Sequence, residues 1–268
     1  MEEFLYAFEG VLSTSRYAVA FTGAGVSEES GIPTFRGSGG LWENYSPAVY
    51  GNLPGLALVF LFRKRRLAGF AADVVSTLVE ASPNPCHVAL ARMEKAGLLK
   101  GVVTQNVDDL HSVAGSERVL ELHGNAYRLR CGRCRSVRKV ERERLAEVAE
   151  KLRLSRVTRR DLLRVLGDYA PRCPECGGRT RPDVVLFGES LPPGVMDESI
   201  ALASQCDLLL VLGTTSVVYP AAIVPRVALD AGARLVEINP HSTSLTPCAH
   251  LRIPYPAGEF FAKYMEKL

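Results

Sequence analysis

Two pairs of cysteines have a spacing that is typical of metal binding. Cys131 and Cys134 form the first pair, Cys173 and Cys176 form the second, and two residues separate the thiols in each pair. This spacing lets both thiolates of a pair reach one ion from a tight turn, and two such turns complete a tetrahedral site that suits Zn²⁺. Because four cysteines fill the coordination shell, we expect one structural ion with no position left for water. Two unrelated cysteine pairs, or a redox pair, are the alternatives.

A glycine-rich turn follows the first apolar segment of the chain. Residues 19–22 are apolar or β-branched, and Gly23, Ala24, Gly25 and Ser27 lie directly after them. Glycines at such a position let backbone N–H groups approach a pyrophosphate closely. The spacing differs from the G-x-G-x-x-G pattern, so the turn by itself is equally compatible with a phosphate loop and with an ordinary tight turn.

The elements that must position these residues alternate between strand and helix. Short apolar segments at 19–22, 102–104, 208–212 and 235–238 are each followed directly by Gly, Gln or Asn, and helical patterns over 87–96 and 220–231 lie between them. This alternation predicts an α/β fold with a Rossmann-like parallel sheet and helices on both faces. Ligands of such sheets bind at the carboxyl ends of the strands, so the four strand-end loops are expected to converge.

Two segments interrupt the alternation and predict a smaller domain. We assign residues 1–40, 85–127 and 182–268 to the Rossmann-like domain, residues 41–84 to a helical insertion, and residues 128–181 to a four-cysteine zinc module. The zinc module contains a charged stretch in which Thr158 and Asp161 have the spacing of a capping box that opens a helix. The remaining cysteines, Cys86, Cys206 and Cys248, are expected in the core.

Six further blocks, taken in order, resemble the sirtuins, the silent information regulator family of NAD-dependent protein deacylases, and specifically the prokaryotic branch related to desuccinylases. The blocks are GAGVSEESGIPTFRGSGGLW from Gly23, TQNVDDLH from Thr104, LHG from Leu122, RPDVVLFGE from Arg181, GTTSVVYPAA from Gly213 and INP from Ile238. With the cysteine pairs, the resemblance covers nearly the whole chain. It implies NAD as co-substrate, a structural zinc ion, and removal of acyl groups, chiefly acetyl, from protein lysines.

The resemblance also implies roles for individual residues. His123 matches the catalytic base, which deprotonates a ribose hydroxyl after nicotinamide has left; a histidine suits that role because its unperturbed pKa is about 6.5. The residues expected to bind the cofactor are Gly23, Ala24, Gly25, Ser27, Thr34, Phe35, Arg36, Trp42, Gln105, Asn106, Val107, Asp108, Gly213, Thr214, Thr215, Asn239, Pro240 and Ala257. The four remaining histidines, His87, His111, His241 and His250, are expected to have ordinary core or turn roles.

The resemblance implies an extended substrate peptide that pairs with an exposed strand. Residues 184–187 have strand propensity, and Val184, Phe187, Gly188 and Glu189 match the family's peptide-binding positions. An exposed strand edge binds a peptide through backbone hydrogen bonds whatever its side chains. An interior strand is the alternative. Chromatin proteins and metabolic enzymes are both plausible substrate classes.

The chain departs from the family pattern where acidic acyl groups are recognised. The branch that removes succinyl and malonyl groups has Tyr-x-x-Arg in the small domain, whereas this chain has Phe60 and Arg63 at the best match. Arg63 offers a cation for a carboxylate, but Phe60 lacks the phenol hydroxyl, and a hydrogen bond to a charged group contributes roughly 1.5 to 3 kcal/mol. We therefore expect deacetylation to be retained and desuccinylation to be weaker or absent.

Composition and charge set the remaining expectations. The formal net charge is +3, which is too small to indicate nucleic-acid binding, and no direct nucleic-acid or membrane partner is expected. The N-terminal residues lack the pattern of a signal peptide, so we expect a soluble cytoplasmic protein. A mono-ADP-ribosyltransferase, an NAD-sensing zinc module and a deacylase that prefers acidic acyl groups are the alternative functions.

Overall fold

The computed structural model describes residues 1–34, 41–154 and 158–267. The strands are β1 (Ala18–Thr22), β2 (Leu99–Thr104), β3 (Val119–Glu121), β4 (Gly124–Cys131), β5 (Val137–Lys139), β6 (Thr180–Val184), β7 (Leu208–Leu212), β8 (Arg234–Ile238) and β9 (Leu251–Ile253). The helices are α1 (Glu2–Ser13), α2 (Leu41–Asn44), α3 (Pro47–Tyr50), α4 (Leu53–Phe62), α5 (Lys64–Glu80), α6 (Pro85–Lys95), α7 (Leu110–Val113), α8 (Arg142–Leu154), α9 (Arg159–Tyr169), α10 (Val195–Gln205), α11 (Ile223–Asp230) and α12 (Ala257–Met265). No described helix has both the length and the apolar character that crossing a bilayer requires.

The chain forms two compact units. The first contains residues Met1–Ile32, Ser82–His123 and Leu191–Leu268, and the second contains Pro33–Ala81 and Gly124–Ser190. Residues 182–190 therefore group with the second unit and not with the Rossmann-like domain to which the sequence analysis assigned them. The reason is strand pairing, because β6 pairs with β4 of the same unit. The pairing likewise places residues 124–127, the start of β4, in the second unit.

The first unit is built on a six-stranded parallel sheet in the order β3-β2-β1-β7-β8-β9. Side chains of successive strand residues point to opposite faces. In β1, Ala18 and Ala20 join a core with α1, α6 and α12, whereas Val19 and Phe21 join a core with α10 and α11. The sheet is thus covered on both faces, and the predicted α/β class is confirmed.

The short edge strands β3 and β9 were not predicted. Each has three residues, and Glu121 and Arg252 interrupt their apolar character. Such segments have no periodicity of their own, and they are strands only because a neighbouring strand pairs with them.

The second unit combines helices with a three-stranded antiparallel sheet in the order β5-β4-β6. Arg142 at the start of α8 donates hydrogen bonds to the carbonyls of Val79 and Ala81, which lie at the end of α5. A cation at this position stabilises the carbonyl end of a helix. The predicted capping box is present at the start of α9, where the Thr158 hydroxyl accepts from the Asp161 amide and the Asp161 carboxylate accepts from the Thr158 amide.

Candidate functional site

The loops that follow β1, β2, β7 and β8 are joined by hydrogen bonds, as the sequence analysis predicted. The Gly25 amide donates to the Gly213 carbonyl at 2.9 Å. The Gln105 amide nitrogen Nε2 donates to Thr214 Oγ1 at 2.9 Å, and Asn239 Nδ2 donates to the Thr214 carbonyl at 3.4 Å. All four loops extend from the carboxyl ends of adjacent parallel strands, which is where an α/β sheet binds its ligands.

Close packing between two of these loops explains their glycines. Gly213 has φ +55°, and a Cβ atom there would overlap the backbone nitrogen of Val26. A Cβ at Gly25 would lie 2.8 Å from the Gly213 carbonyl oxygen. The amides of Gly25, Val26 and Ser27 already donate to carbonyls of the two loops. These glycines are therefore required for the contact between loops, whatever they also offer to a phosphate.

His123 follows β3 and carries a defined hydrogen bond. Its Nδ1 lies 2.9 Å from the carbonyl oxygen of Gln105, which can only accept, so Nδ1 carries a proton. The neutral ring then has an unprotonated Nε2, which is the atom that a general base requires. Burial lowers the pKa of His123, and the bond to Gln105 opposes part of that effect. The imidazole is consequently neutral at physiological pH.

A chain of buried hydrogen bonds joins the first two loops. Asn106 Nδ2 donates to Ser27 Oγ at 3.0 Å and to the Gly23 carbonyl at 3.1 Å, and Ser27 Oγ donates to Asp108 at 2.6 Å. Asp108 also accepts from the Leu110 amide at 3.0 Å. Burial raises the pKa of Asp108, and the bonds from Ser27 and Leu110 counteract it. Asn106 and Asp108, two of the residues expected to bind the cofactor, are therefore fixed in place by the first loop.

Two buried polar groups, one in the loop after β7 and one near the end of β8, were missed by the sequence analysis. Ser216 has φ +53°, and its buried hydroxyl has no hydrogen-bond partner in the described part of the chain. Glu237 at the end of β8 is fully buried and accepts from the hydroxyls of Thr243 and Thr246. A charged residue in an apolar strand was the available signal for Glu237, and a polar residue in the loop after β7 was the signal for Ser216. Glu237 holds the loop after β8, whereas the buried Ser216 hydroxyl is left without a hydrogen-bond partner among the described residues.

The other predicted cofactor residues occupy different positions. Ala24 lies in a 3₁₀ turn after β1, and Val107 lies in the loop after β2. Thr215 and Pro240 are exposed in the loops after β7 and β8, whereas Ala257 is buried at the first position of α12. Thr34 is described and belongs to the second unit. Phe35, Arg36 and the side chain of Trp42 lie outside the described residues.

The four predicted metal ligands form one cluster in the second unit. The sulfur atoms of Cys131, Cys134, Cys173 and Cys176 all lie within 4.8 Å of one another. Cys131 Sγ is 3.5 Å from Cys176 Sγ, and Cys134 Sγ is 3.7 Å from Cys173 Sγ. Zinc–sulfur bonds of about 2.3 Å in a tetrahedron place neighbouring sulfurs about 3.8 Å apart. The cluster therefore fits one zinc ion with a complete shell of thiolates.

The other three cysteines do not all behave as predicted. Cys86 and Cys206 are buried, as expected of core thiols, but Cys248 is exposed at the end of a 3₁₀ turn. Its prediction as a core residue is wrong, because the turn after β8 runs over the surface.

Among the four remaining histidines, His87 and His111 are fully or almost fully buried, and His250 Nδ1 accepts from the Leu235 amide.

Comparison with known proteins decides the family. A model of the Sir2 family matches residues 23–220. A Pyrococcus furiosus protein named NAD-dependent protein deacylase is 43% identical over 264 residues, which cover 96% of this chain and 95% of that protein. The chain belongs to the Sir2 family. A solved structure named Sir2-p53 peptide-NAD+ has a TM-score of 0.76 at 35% identity, with 98% of each chain covered. A second, described as Sir2Tm bound to a propionylated peptide, has a TM-score of 0.75 at 35% identity, again with 98% of each chain covered.

The peptide-binding segment predicted for this Sir2-family protein differs from a continuous strand. β6 ends at Val184, and residues 186–189 form a turn instead of the predicted strand through Phe187. The turn is held by Glu189, whose carboxylate accepts from the Leu186 amide at 2.9 Å and pairs with Arg181 at 2.5 Å. β6 nevertheless lies at the edge of its sheet, since β4 is its one neighbour among the described strands.

Proposed function

We propose that this Sir2-family protein removes acyl groups, chiefly acetyl, from lysine side chains of proteins, with NAD as co-substrate. The products are deacylated lysine, nicotinamide and O-acyl-ADP-ribose. The observation that carries the proposal is the protonation state of His123. Its Nδ1–H donates to the Gln105 carbonyl, so Nε2 is available to accept a proton. The Pyrococcus furiosus relative, named for the same activity, supports it.

The strand-end loops of the first unit fit a dinucleotide. Their polar groups include the buried Ser216 hydroxyl, which has no partner in the described part of the chain. Asn106 and Asp108 would hold the carboxamide of nicotinamide, and Thr214 and Asn239 would hold the adenosine half. When bound, NAD would supply a ribose carbon to which the acyl oxygen of the substrate bonds as the bond to nicotinamide breaks. His123 then accepts the proton of a ribose hydroxyl at Nε2, while the Gln105 carbonyl fixes the ring.

The proposal is tested by product analysis of the wild type and His123→Ala. We expect the wild type to release nicotinamide and O-acyl-ADP-ribose from an acetyl-lysine peptide. A general base contributes roughly 10²- to 10⁴-fold, so the variant is expected to lose turnover by about that factor. Zinc content, thermal unfolding and NAD binding of the variant serve as controls. ADP-ribosylated protein as the main product would indicate a transferase, and NAD binding without nicotinamide release would indicate a sensor.

The substrate is proposed to be an acyl-lysine segment bound in extended form at the edge of β6. The edge position of β6 supports this, and the turn formed by Phe187, Gly188 and Glu189 would limit how far the pairing extends. Backbone pairing tolerates many sequences, so chromatin proteins and metabolic enzymes both remain proposed substrates. A cytoplasmic location is proposed with them.

Acyl preference is proposed to depend on the two residues that replace Tyr-x-x-Arg. Phe60 is half-buried in the last turn of α4, and Arg63 is exposed at the C-cap of the same helix. The two positions are three residues apart, so they lie on neighbouring parts of the helix surface. Arg63 provides a positive charge for an acyl carboxylate, but Phe60 does not provide the phenol hydroxyl that a tyrosine would. The missing hydroxyl supports a preference for acetyl over succinyl groups.

Restoring the hydroxyl tests this preference directly. We expect Phe60→Tyr to raise the ratio of desuccinylation to deacetylation about tenfold or more, since a bond to a charged group contributes roughly 1.5 to 3 kcal/mol. Phe62→Tyr is the matched control, because Phe62 lies on the same helix but is 78% exposed. Rates are compared on one peptide that carries acetyl, propionyl or succinyl groups. An unchanged ratio in Phe60→Tyr would show that Phe60 and Arg63 do not determine the acyl preference.

A further inference from the structure

Charge is distributed very unevenly between the two units. The second unit, Pro33–Ala81 and Gly124–Ser190, contains 22 Lys and Arg residues against 12 Asp and Glu, a formal net charge of +10. The first unit contains 10 against 17, a formal net charge of −7. The whole-chain value of +3 conceals this asymmetry. A compact unit with a strong excess of one sign attracts polymers of the opposite charge.

Much of this positive charge lies on the part of the second unit that holds the cysteine cluster. We define the zinc ribbon as residues 131–139 and 172–180. Glu175 is its single acidic residue, whereas six basic side chains are exposed there: Arg133, Arg135, Arg138, Lys139, Arg172 and Arg179. None of these six forms an ion pair with an acidic group in the described ranges. The ribbon therefore presents uncompensated charge to solvent.

Hydrogen bonds bring three of the arginines together on the two knuckles. Arg133 Nη1 donates to the Cys176 carbonyl at 3.0 Å, and Arg172 Nη1 donates to the adjacent Gly177 carbonyl at 3.3 Å. The Arg179 carbonyl accepts from the Gly132 amide of the other knuckle at 3.0 Å. A guanidinium has five N–H donors, so each of the two anchored groups keeps most of its donors for a ligand.

The composition of the ribbon favours the backbone of a double-stranded nucleic acid over other polyanions. Five of its six cations are arginine, whose planar fork matches phosphate oxygens. The ribbon contains no aromatic residue on which single-stranded bases could stack. Duplex DNA carries one charge per ~1.7 Å of axis, a density that suits closely placed cations. We propose that the zinc ribbon is a docking surface for the phosphate backbone of duplex DNA, bound irrespective of base sequence.

This inference replaces the expectation that the protein has no direct nucleic-acid partner. That expectation used the net charge of the whole chain, which averages two units of opposite sign. DNA binding by the zinc ribbon does not depend on the deacylase activity, so each can be tested without the other.

Fluorescence anisotropy of a labelled duplex of mixed sequence, titrated with the zinc-loaded full chain, tests the proposal. With four or five phosphates contacted, the slope of log K against log salt concentration is expected to be about −4. Affinity should then fall on the order of 10²-fold between 50 and 200 mM salt. No binding at 50 mM salt would overturn the proposal. Competition by polyglutamate as effective as competition by unlabelled duplex would also overturn it and indicate an acidic protein partner.

Charge-matched variants locate the surface. We expect the triple variant Arg133→Gln, Arg172→Gln and Arg179→Gln to weaken binding at least tenfold and to reduce the slope by about 2 to 3. The control replaces Arg153, Arg160 and Arg164, which are exposed on α8 and α9 of the same unit, with glutamine. Equal weakening in both variants would show that overall charge and not the ribbon binds DNA.

A second variant tests the same surface without altering residues that contact the zinc knuckles. Arg138 and Lys139 lie on β5, and no hydrogen bond joins their side chains to the knuckles in the described residues. We expect Arg138→Gln with Lys139→Gln to keep its zinc and to reduce the salt slope by about 2. An unchanged slope in a variant with full zinc content would contradict the assignment.

Discussion

The protonation state of His123 is decided by one backbone carbonyl. Because Gln105 O can only accept, the ring must donate from Nδ1, and the basic atom is Nε2. No side chain is needed for this orientation. A substitution of the Gln105 side chain would therefore leave the tautomer unchanged, whereas a shift of the loop after β2 would alter it.

The pH dependence of turnover should follow the protonation of His123. Burial lowers the pKa of His123, so the base stays neutral to a pH below the value of about 6.5 for a free imidazole. We expect the acid limb of the kcat/KM profile to lie below about pH 6.5, with activity lost as the pH falls and Nε2 becomes protonated. Recovery of activity after return to neutral pH controls for unfolding and zinc loss. An acid limb near pH 7 or above would contradict the assignment.

At the scale of elements, the zinc knuckles depend on a glycine that follows the second cysteine pair. A Cβ atom at Gly178 would lie 2.9 Å from the Arg133 Cβ and about as close to two sulfurs, 3.0 Å from Cys131 Sγ and 3.1 Å from Cys176 Sγ. The Gly178 amide also approaches Cys176 Sγ at 3.4 Å. A side chain at this position would force the two knuckles to shift relative to each other.

Substituting this glycine should therefore loosen the metal. We expect Gly178→Ala to destabilise the zinc site by about 1 to 3 kcal/mol, as overpacking does, and to speed zinc release to a chelator. Gly167→Ala is the matched control, because Gly167 lies inside α9 and a Cβ atom added there would have no neighbour within 4 Å among the described residues. Alanine there is expected to stabilise the helix by roughly 0.5 to 1 kcal/mol. Identical zinc release from both variants would show that Gly178 is not a packing constraint.

At the scale of the whole molecule, two buried imidazoles couple stability to pH. The rings of His87 and His111 lie 4.7 Å apart, and both side chains are buried. Burial lowers the pKa of His87 to about 4. Burial also places the pKa of His111 well below its ordinary value, and His87 adds to that effect. Both rings are therefore neutral in the folded protein at neutral pH.

Acid should destabilise the fold through these rings. The unfolded chain binds a proton on each imidazole below about pH 6.5, whereas the native His87 binds one only near pH 4. The free energy of unfolding should fall as the pH drops from about 6.5 to about 4, by about 3 kcal/mol from His87 alone. Urea unfolding at several pH values measures this, with zinc content checked at each. His87→Gln should flatten the dependence, whereas His241→Gln, at an exposed position, should not.

Local patterns in the sequence predicted the elements that carry the site. The segment 208–212 is β7 without change, and the capping box at Thr158 and Asp161 opens α9 as expected. The two cysteine pairs also form the predicted cluster. Each of these features depends on residues that are close together in the sequence, because apolar runs, capping pairs and CxxC turns are determined by near neighbours in the chain.

Tertiary structure decided the features that depend on distant partners. The edge strands β3 and β9 exist because β2 and β8 pair with them. The turn after Val184 depends on the pairing of Glu189 with Arg181. The proton on His123 is fixed by the loop after β2, and the charge of the zinc ribbon becomes visible only when two separated segments form one unit. A linear sequence fixes residue types and local spacing, but which groups meet depends on the folded chain.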